Sequence, residues 1–121
     1  MHKIAIVEDD EPIREMYKFK LESSGYDVYS ANNGQEGLLL AEKIRPDLIL
    51  LDIKMPIMNG DEMLKKMRET VWGALAKVII LTNLSKDEAP AILKLLNVER
   101  YIVKAHYTPK EVIKVIEEVL S

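Results

Sequence analysis

Five side chains able to do chemistry stand where short apolar runs end, far apart in the chain. Glu8 and Asp9 follow Ile4-Ala5-Ile6-Val7, and Asp52 follows Leu48-Ile49-Leu50-Leu51. Thr82 closes the run that starts at Val78, and Lys104 follows Tyr101-Ile102-Val103. Acids brought together with no nitrogen or sulfur ligand suit a hard divalent cation. Mg²⁺ typically takes one or two carboxylates and keeps room for waters and phosphate oxygens. The formal charges agree, since three acids and one lysine sum to -2, which one Mg²⁺ neutralises. A carboxylate beside that ion can attack a phosphoryl group in line and form an aspartyl phosphate. The equatorial oxygens then need the metal, an amine and a hydroxyl or backbone N–H. Asp52, Lys104 and Thr82 are of the types that this role set demands. Asp10 and Glu11, by contrast, read as acids favoured at the start of a helix.

These residues can meet only if the apolar runs lie side by side. Each run is short and apolar, and the first is rich in β-branched residues, as expected of strands buried on both faces. Between the runs, apolar residues recur at helical spacing. Pro12 suits a first helical turn, and Ile13, Met16, Tyr17 and Leu21 lead to Gly25, a helix terminator. Asp27 to Ala31 is a weaker strand; Asn33 with Glu36 starts a helix through Ile44, closed by Pro46. Asn59-Gly60 makes a turn before Met63, Leu64 and Met67. A helix is expected from Ser85 to Leu96, and a last one capped by Thr108, with Pro109 and Glu111 completing the start signal. Strict alternation of strand and helix selects an α/β doubly wound sandwich of five βα units, a single domain over residues 1–121. In such a sheet, ligands bind beyond the carboxyl ends of the strands.

Composition removes other classes. The chain has 121 residues, 48% hydrophobic and 31% charged, which is ordinary for a folded domain and argues against disorder. No cysteine is present, so a disulfide framework, a thiolate metal site and a cysteine nucleophile are excluded. Seventeen basic and twenty acidic residues give -3, which disfavours direct nucleic-acid binding. No apolar run approaches the length of a membrane span or a signal peptide, so the expected compartment is the cytoplasm. His2 and His106 read as solvated side chains, and Trp72 as packing.

In this order, at these strand ends, the residues resemble the receiver domain of two-component response regulators. The motifs are Ile6-Val7-Glu8-Asp9-Asp10, Leu51-Asp52-Ile53-Lys54-Met55-Pro56-Ile57-Met58-Asn59-Gly60, Leu81-Thr82 and Tyr101-Ile102-Val103-Lys104. The resemblance covers the whole chain and implies a flavodoxin-like strand order 2-1-3-4-5. It implies a signalling domain rather than an enzyme, one that catalyses only its own phosphorylation and dephosphorylation. Asp52 would accept a phosphoryl group from a sensor histidine kinase or phosphotransfer protein. Mg²⁺, or Mn²⁺ in its place, would be held by Asp9 directly and by Glu8 through water, with Asp52 and the Lys54 backbone carbonyl completing the metal residues. Thr82 and Lys104 would contact the phosphoryl oxygens. Tyr101 matches an aromatic switch; an ordinary strand tyrosine with a solvated hydroxyl is the equal alternative. A downstream protein would read the face built from the fourth helix, the last strand and the last helix, with the chain a monomer or a phosphorylation-dependent dimer.

Departures from the family pattern bear on the site. Ala105 stands where proline usually follows the lysine, so the Lys104–Ala105 bond is expected trans, because a cis bond before a residue other than proline costs about 3 kcal/mol. Asn83 replaces a small residue. Pro90 falls inside the helix expected after Ser85, which should start nearer Asp87 or bend. Asn97 takes a place often held by glycine and tolerates the left-handed conformation. Lys54 and Leu84 occupy positions that tune phosphoryl lifetime in the family, and apolar Leu84 favours a long-lived state. A phosphatase with an aspartate nucleophile would want an acid where Lys54 stands. A nucleotide binder would need a glycine-rich loop where Glu8-Asp9-Asp10 stands. A receiver fold serving only as an interaction module, without phosphorylation, is the alternative that Ala105, Asn83 and Pro90 keep open.

Overall fold

The computed structural model describes all residues, Met1–Ser121. Strand β1 (Lys3–Val7) leads to helix α1 (Glu11–Ser23), β2 (Asp27–Ala31) to α2 (Gly34–Ile44), and β3 (Leu48–Leu51) to α3 (Gly60–Arg68). After β4 (Lys77–Thr82) comes a 3₁₀ turn over Ala91–Leu95; β5 (Arg100–Val103) then precedes α4 (Pro109–Leu120). The strands form one parallel sheet in the order β2-β1-β3-β4-β5, as the resemblance implies.

Alternation along the strands sorts the core into two layers. Ile4, Ile6, Leu48, Leu50, Ile79 and Leu81 face one way and meet Tyr17 and Leu21 of α1 and Val112 and Ile116 of α4. Ala5, Val7, Ile49, Leu51, Val78 and Ile80 face the other way, toward Ala41 of α2 and Met63, Leu64 and Met67 of α3. Burial on both faces explains why β3 and the interiors of β1 and β4 are wholly apolar.

The helix starts follow the sequence signals. The Asp10 side chain accepts from the Ile13 N–H, Asn33 from Glu36, and Thr108 and Glu111 form a reciprocal capping box. Gly25 at φ 95° follows the end of α1.

One expected element is absent as an α-helix. Ser85 and Glu88 do make a reciprocal cap, with the Ser85 N–H on Glu88 at 2.9 Å and the Glu88 N–H on Ser85 at 3.3 Å. The turn they start ends at Pro90, which has no N–H to give and whose ring would strike the carbonyl of the fourth residue before it. Its ψ of 131° is extended, and only the 3₁₀ turn over Ala91–Leu95 follows. Thus the fold has four α-helices, not five, and the segment neither starts at Asp87 nor bends. Asn97 adopts φ 60°, the left-handed conformation expected of it. No peptide bond is cis, so Lys104–Ala105 is trans as expected; Lys104–His106 forms a short 3₁₀ turn.

Arg68, at the end of α3, holds this shortened segment in place. Its guanidinium donates to the carbonyls of Leu96, Asn97, Gly73 and Ala76 at 2.7–3.1 Å. It thereby ties the stretch before β5 to the loop before β4. Trp72 in that loop is half-buried, with the Arg45 guanidinium 5.3 Å from its ring centre, and so serves packing. His2 and His106 are exposed. Arg68→Ala should cost about 2–4 kcal/mol in chemical denaturation, because it orphans several carbonyls at once. Arg68→Lys should recover less than half of that, since a single ammonium cannot reproduce the planar fork.

Candidate functional site

Strand register brings the predicted residues together. Val7 pairs with Leu51 across β1 and β3, so Glu8 and Asp52, each the next residue, emerge side by side where the strand order reverses. Thr82 pairs with Val103, which sets Lys104 one step beyond Thr82. The ladder continues into the site: Glu8 N–H donates to Ala31 O and Asp52 N–H to Val7 O, both at 3.0 Å.

Glu8, Asp9, Asp10, Asp52, Lys54, Thr82, Asn83, Leu84 and Lys104 line one recess of about 260 Å³. Asp9 and Lys54 are exposed, whereas Glu8 and Thr82 keep only 3% and 1% of their surface. Asn83 is exposed at the mouth, Leu84 is half-buried, and Ala105 is exposed in the turn after Lys104. A larger recess of about 500 Å³ at the opposite end of the sheet, beside Trp72 and Leu75, gathers no comparable set of acids.

The Lys104 ammonium bridges two acids, 2.6 Å from Glu8 Oε1 and 3.2 Å from Asp52 Oδ2. Asp52 Oδ1 accepts the Ile53 N–H at 2.7 Å, and Glu8 Oε2 accepts the Asp10 N–H at 3.2 Å. Each oxygen retains a lone pair, and Asp9 is free. Oxygens of Glu8, Asp9 and Asp52 lie within 4.8 Å of one another. A divalent ion bound at about 2.1 Å from its ligands fits that span with one carboxylate reaching through water. The donor set, all oxygen and strongly anionic, is that of Mg²⁺ rather than of a softer metal.

Electrostatics record the crowding. Burial pushes the Glu8 carboxyl up to about 7; the Asp52 charge adds to this and Lys104 opposes it. Burial alone would lower Lys104, but the Glu8 hydrogen bond and the Asp52 charge outweigh it and hold the ammonium above its usual value. Lys104 therefore stays charged while Glu8 holds a proton part of the time near neutral pH.

Some site residues carried no plain sequence signal. Arg14 of α1 donates to the Glu8 carbonyl at 2.9 Å and fixes the acidic loop. Gly60 packs so tightly that a Cβ would lie 2.0 Å from the Asp52 carbonyl oxygen, and its N–H reaches Ile53 O at 2.7 Å. Asn59 Oδ1 accepts the Met55 N–H at 3.1 Å. The pair Asn59-Gly60 signalled a turn, but not that this turn clamps Asp52. Tyr101 is half-buried, and its hydroxyl donates toward Leu84 O at 2.9 Å and Ser85 O at 3.3 Å, so it is not left to solvent.

Comparison with known proteins agrees with this geometry. Residues 4–117 match the response regulator receiver domain, and the chain belongs to that family. It is 37% identical over 111 residues to the Bacillus subtilis alkaline phosphatase synthesis transcriptional regulatory protein PhoP, covering 91% of this chain but 45% of that one. Among solved structures it resembles Vibrio cholerae chemotaxis protein CheY4, at TM-score 0.90 and 32% identity over 99% of both chains. It also resembles Thermotoga maritima response regulator TrrA, solved with Mg²⁺ and BeF, at TM-score 0.86 and 31% identity over 99% of this chain and 100% of that one. No helix is long and apolar enough to cross a membrane.

A proton on Glu8 has a definite pH consequence. Its folded value, about 7, lies above its ordinary 4.5, so the contribution of Glu8 to stability is full below pH 4.5 and fades as pH rises to 7. Without divalent ions, wild type minus Glu8→Gln stability should fall across that window. Mg²⁺ affinity should rise over the same range, since binding must displace the proton. Denaturation at stepped pH, with and without Mg²⁺, measures both trends.

Proposed function

We propose that the chain is a phosphoacceptor: Asp52 takes a phosphoryl group from a histidine kinase or phosphotransfer protein, and a protein partner reads the change. The observation that carries this is the Lys104 bridge between Glu8 and Asp52, with Asp9 beside it, in a family whose TrrA member was solved with Mg²⁺ and BeF. When bound, Mg²⁺ would supply charge to a phosphoryl oxygen; Glu8, Asp9, Asp52 and the Lys54 carbonyl would hold it.

This chain's own residues do the rest. An Asp52 carboxylate oxygen forms the bond to phosphorus as the bond to the donor breaks, and the leaving group departs with the electron pair. Lys104, already on Asp52 Oδ2, moves to a phosphoryl oxygen, and Thr82 supplies a hydroxyl to another. Leu84 links site to surface, because its N–H is 3.4 Å from Thr82 Oγ1 and its carbonyl holds the Tyr101 hydroxyl. A shift of Thr82 toward the phosphoryl group would thus pull on Leu84 and let Tyr101 act as the switch. The reading surface is the 3₁₀ segment, β5 and α4. Domestic turnover of the phosphate, not substrate catalysis, is the activity. The chain spans about half the length of the PhoP relative, 45% of which it matches.

Incubation with acetyl phosphate and Mg²⁺ should give a single phosphoryl adduct by intact mass, absent from Asp52→Ala. Its absence from the wild type would favour the phosphorylation-independent interaction module. Mg²⁺ alone should raise the melting temperature, and Asp9→Asn should shrink that rise, because a ligand of the native state stabilises by mass action.

Phosphoryl lifetime gives a separate check. Apolar Leu84 offers no hydrogen bond to orient a hydrolytic water, so decay should be slow and should quicken several-fold in Leu84→Glu. A wild-type adduct that decays quickly, with no acceleration in the variant, would refute the role of Leu84.

A further inference from the structure

The loop between β3 and α3 holds a strained residue that the phosphoryl chemistry does not use. Ile57 has φ 69°, and the Met58 N–H donates to the Pro56 carbonyl at 2.7 Å. A hydrogen bond spanning one residue of positive φ is a γ-turn of the rare, strained kind. A β-branched apex is the least suited to it, while asparagine or glycine would fit with less cost. Packing does not compensate, because Ile57 is 76% exposed.

The turn does not depend on its apex residue. Met55 N–H on Asn59 Oδ1, Gly60 N–H on Ile53 O and Gly34 N–H on Met58 O close the loop from outside at 2.7–3.1 Å. Its place is informative. Lys54, at the head of the loop, lines the Asp52 recess together with Ile13 and Leu84. Exposed Pro56 precedes Ile57, and half-buried Met58 follows it.

We propose that Ile57 is an apolar anchor for the protein that delivers the phosphoryl group. This rests on the phosphoacceptor reading of Asp52. A recess of about 260 Å³ admits a small phosphodonor without touching the loop outside it. A phosphohistidine carried on a protein reaches Asp52 only if that protein's surface covers the mouth, and with it the Pro56–Met58 tip. A rigid apolar apex held out in water has the character of an interface anchor, which contributes when it is desolvated by a partner. Strain retained at an exposed apolar position is thereby explained by a contact that forms only in the complex.

The test uses the full chain, with wild type, Ile57→Asn and Ile57→Leu. The protein donor is a histidine-kinase core, radiolabelled on its histidine and selected beforehand for transfer to the wild type; acetyl phosphate is the small donor. Ile57→Asn should melt about 3 °C or more above the wild type, since the strain is relieved. It should take phosphate from acetyl phosphate at the wild-type rate, yet lose about tenfold in kcat/KM from the kinase core, mainly through KM. Ile57→Leu, which keeps the apolar contact, should restore the transfer. Undiminished transfer to Ile57→Asn would overturn the proposal. So would equal slowing with both donors, which would place Ile57 in the site geometry, or a wild-type dimer that Ile57→Asn dissolves, which would assign it to a second copy. A wild type that forms no adduct with acetyl phosphate and none that requires Asp52 with the kinase core would defeat the phosphoacceptor reading itself, and this inference with it.

Discussion

Two carboxylates bridged by one ammonium, with a third beside them at the edge of a sheet, form an arrangement that the rest of the molecule must oppose or exploit. Lys104 cancels one charge, and the N–H groups of Ile53 and Asp10 soften two more oxygens, but the cluster remains anionic. Like charges this close favour whatever positive species can enter. The proton on Glu8 is the smallest such species, and a divalent cation answers the same field more completely. Burial is the main cause of the high Glu8 value, with the Asp52 charge adding to it, and a proton there would compete with any cation for the same oxygens.

A cluster of that kind survives only on a scaffold too stiff to spread the acids apart. The paired ends of β1 and β3 place Glu8 and Asp52 by backbone hydrogen bonds rather than by side-chain preference. Arg14 fixes the Glu8 carbonyl, and Gly60 lets the next loop close directly on Asp52. Two apolar layers, one on each face, then make any shift of a strand costly, because close-packed side chains on both sides would have to move with it.

Sheet and site were legible in the sequence for the same reason. Buried strands read as short apolar runs, and the first polar residue after each run marks the edge where ligands bind. Glu8, Asp52, Thr82 and Lys104 could therefore be placed without knowing any loop. Helix starts were legible through Asp10, Asn33 and Thr108, whose caps are local. The helix expected from Ser85 to Leu96 shows the limit: Leu93 and Leu96 are buried as a helical face would be, yet Pro90 allows only a turn and a 3₁₀ stretch. Ile57 shows another limit. Nothing in its type announces a positive φ; the surrounding backbone imposes it.

The shortened segment also bears on how a change at the site would travel. Within the proposed reading, Thr82 moves first, and the next linked atoms are the Leu84 amide and, through its carbonyl, the Tyr101 hydroxyl. An α-helix here would resist by breaking several backbone bonds together. The observed stretch has a capped turn, an extended Pro90 and a short 3₁₀ turn, which offer fewer and weaker bonds to break. Its far end is nonetheless pinned, because Arg68 grips Leu96 and Asn97. A segment free to yield near Leu84 and fixed at Asn97 concentrates movement between the two, around half-buried Pro90 and Tyr101. Pro90 therefore weakens the helix expected from the sequence at the place where a signal leaving Asp52 would have to pass.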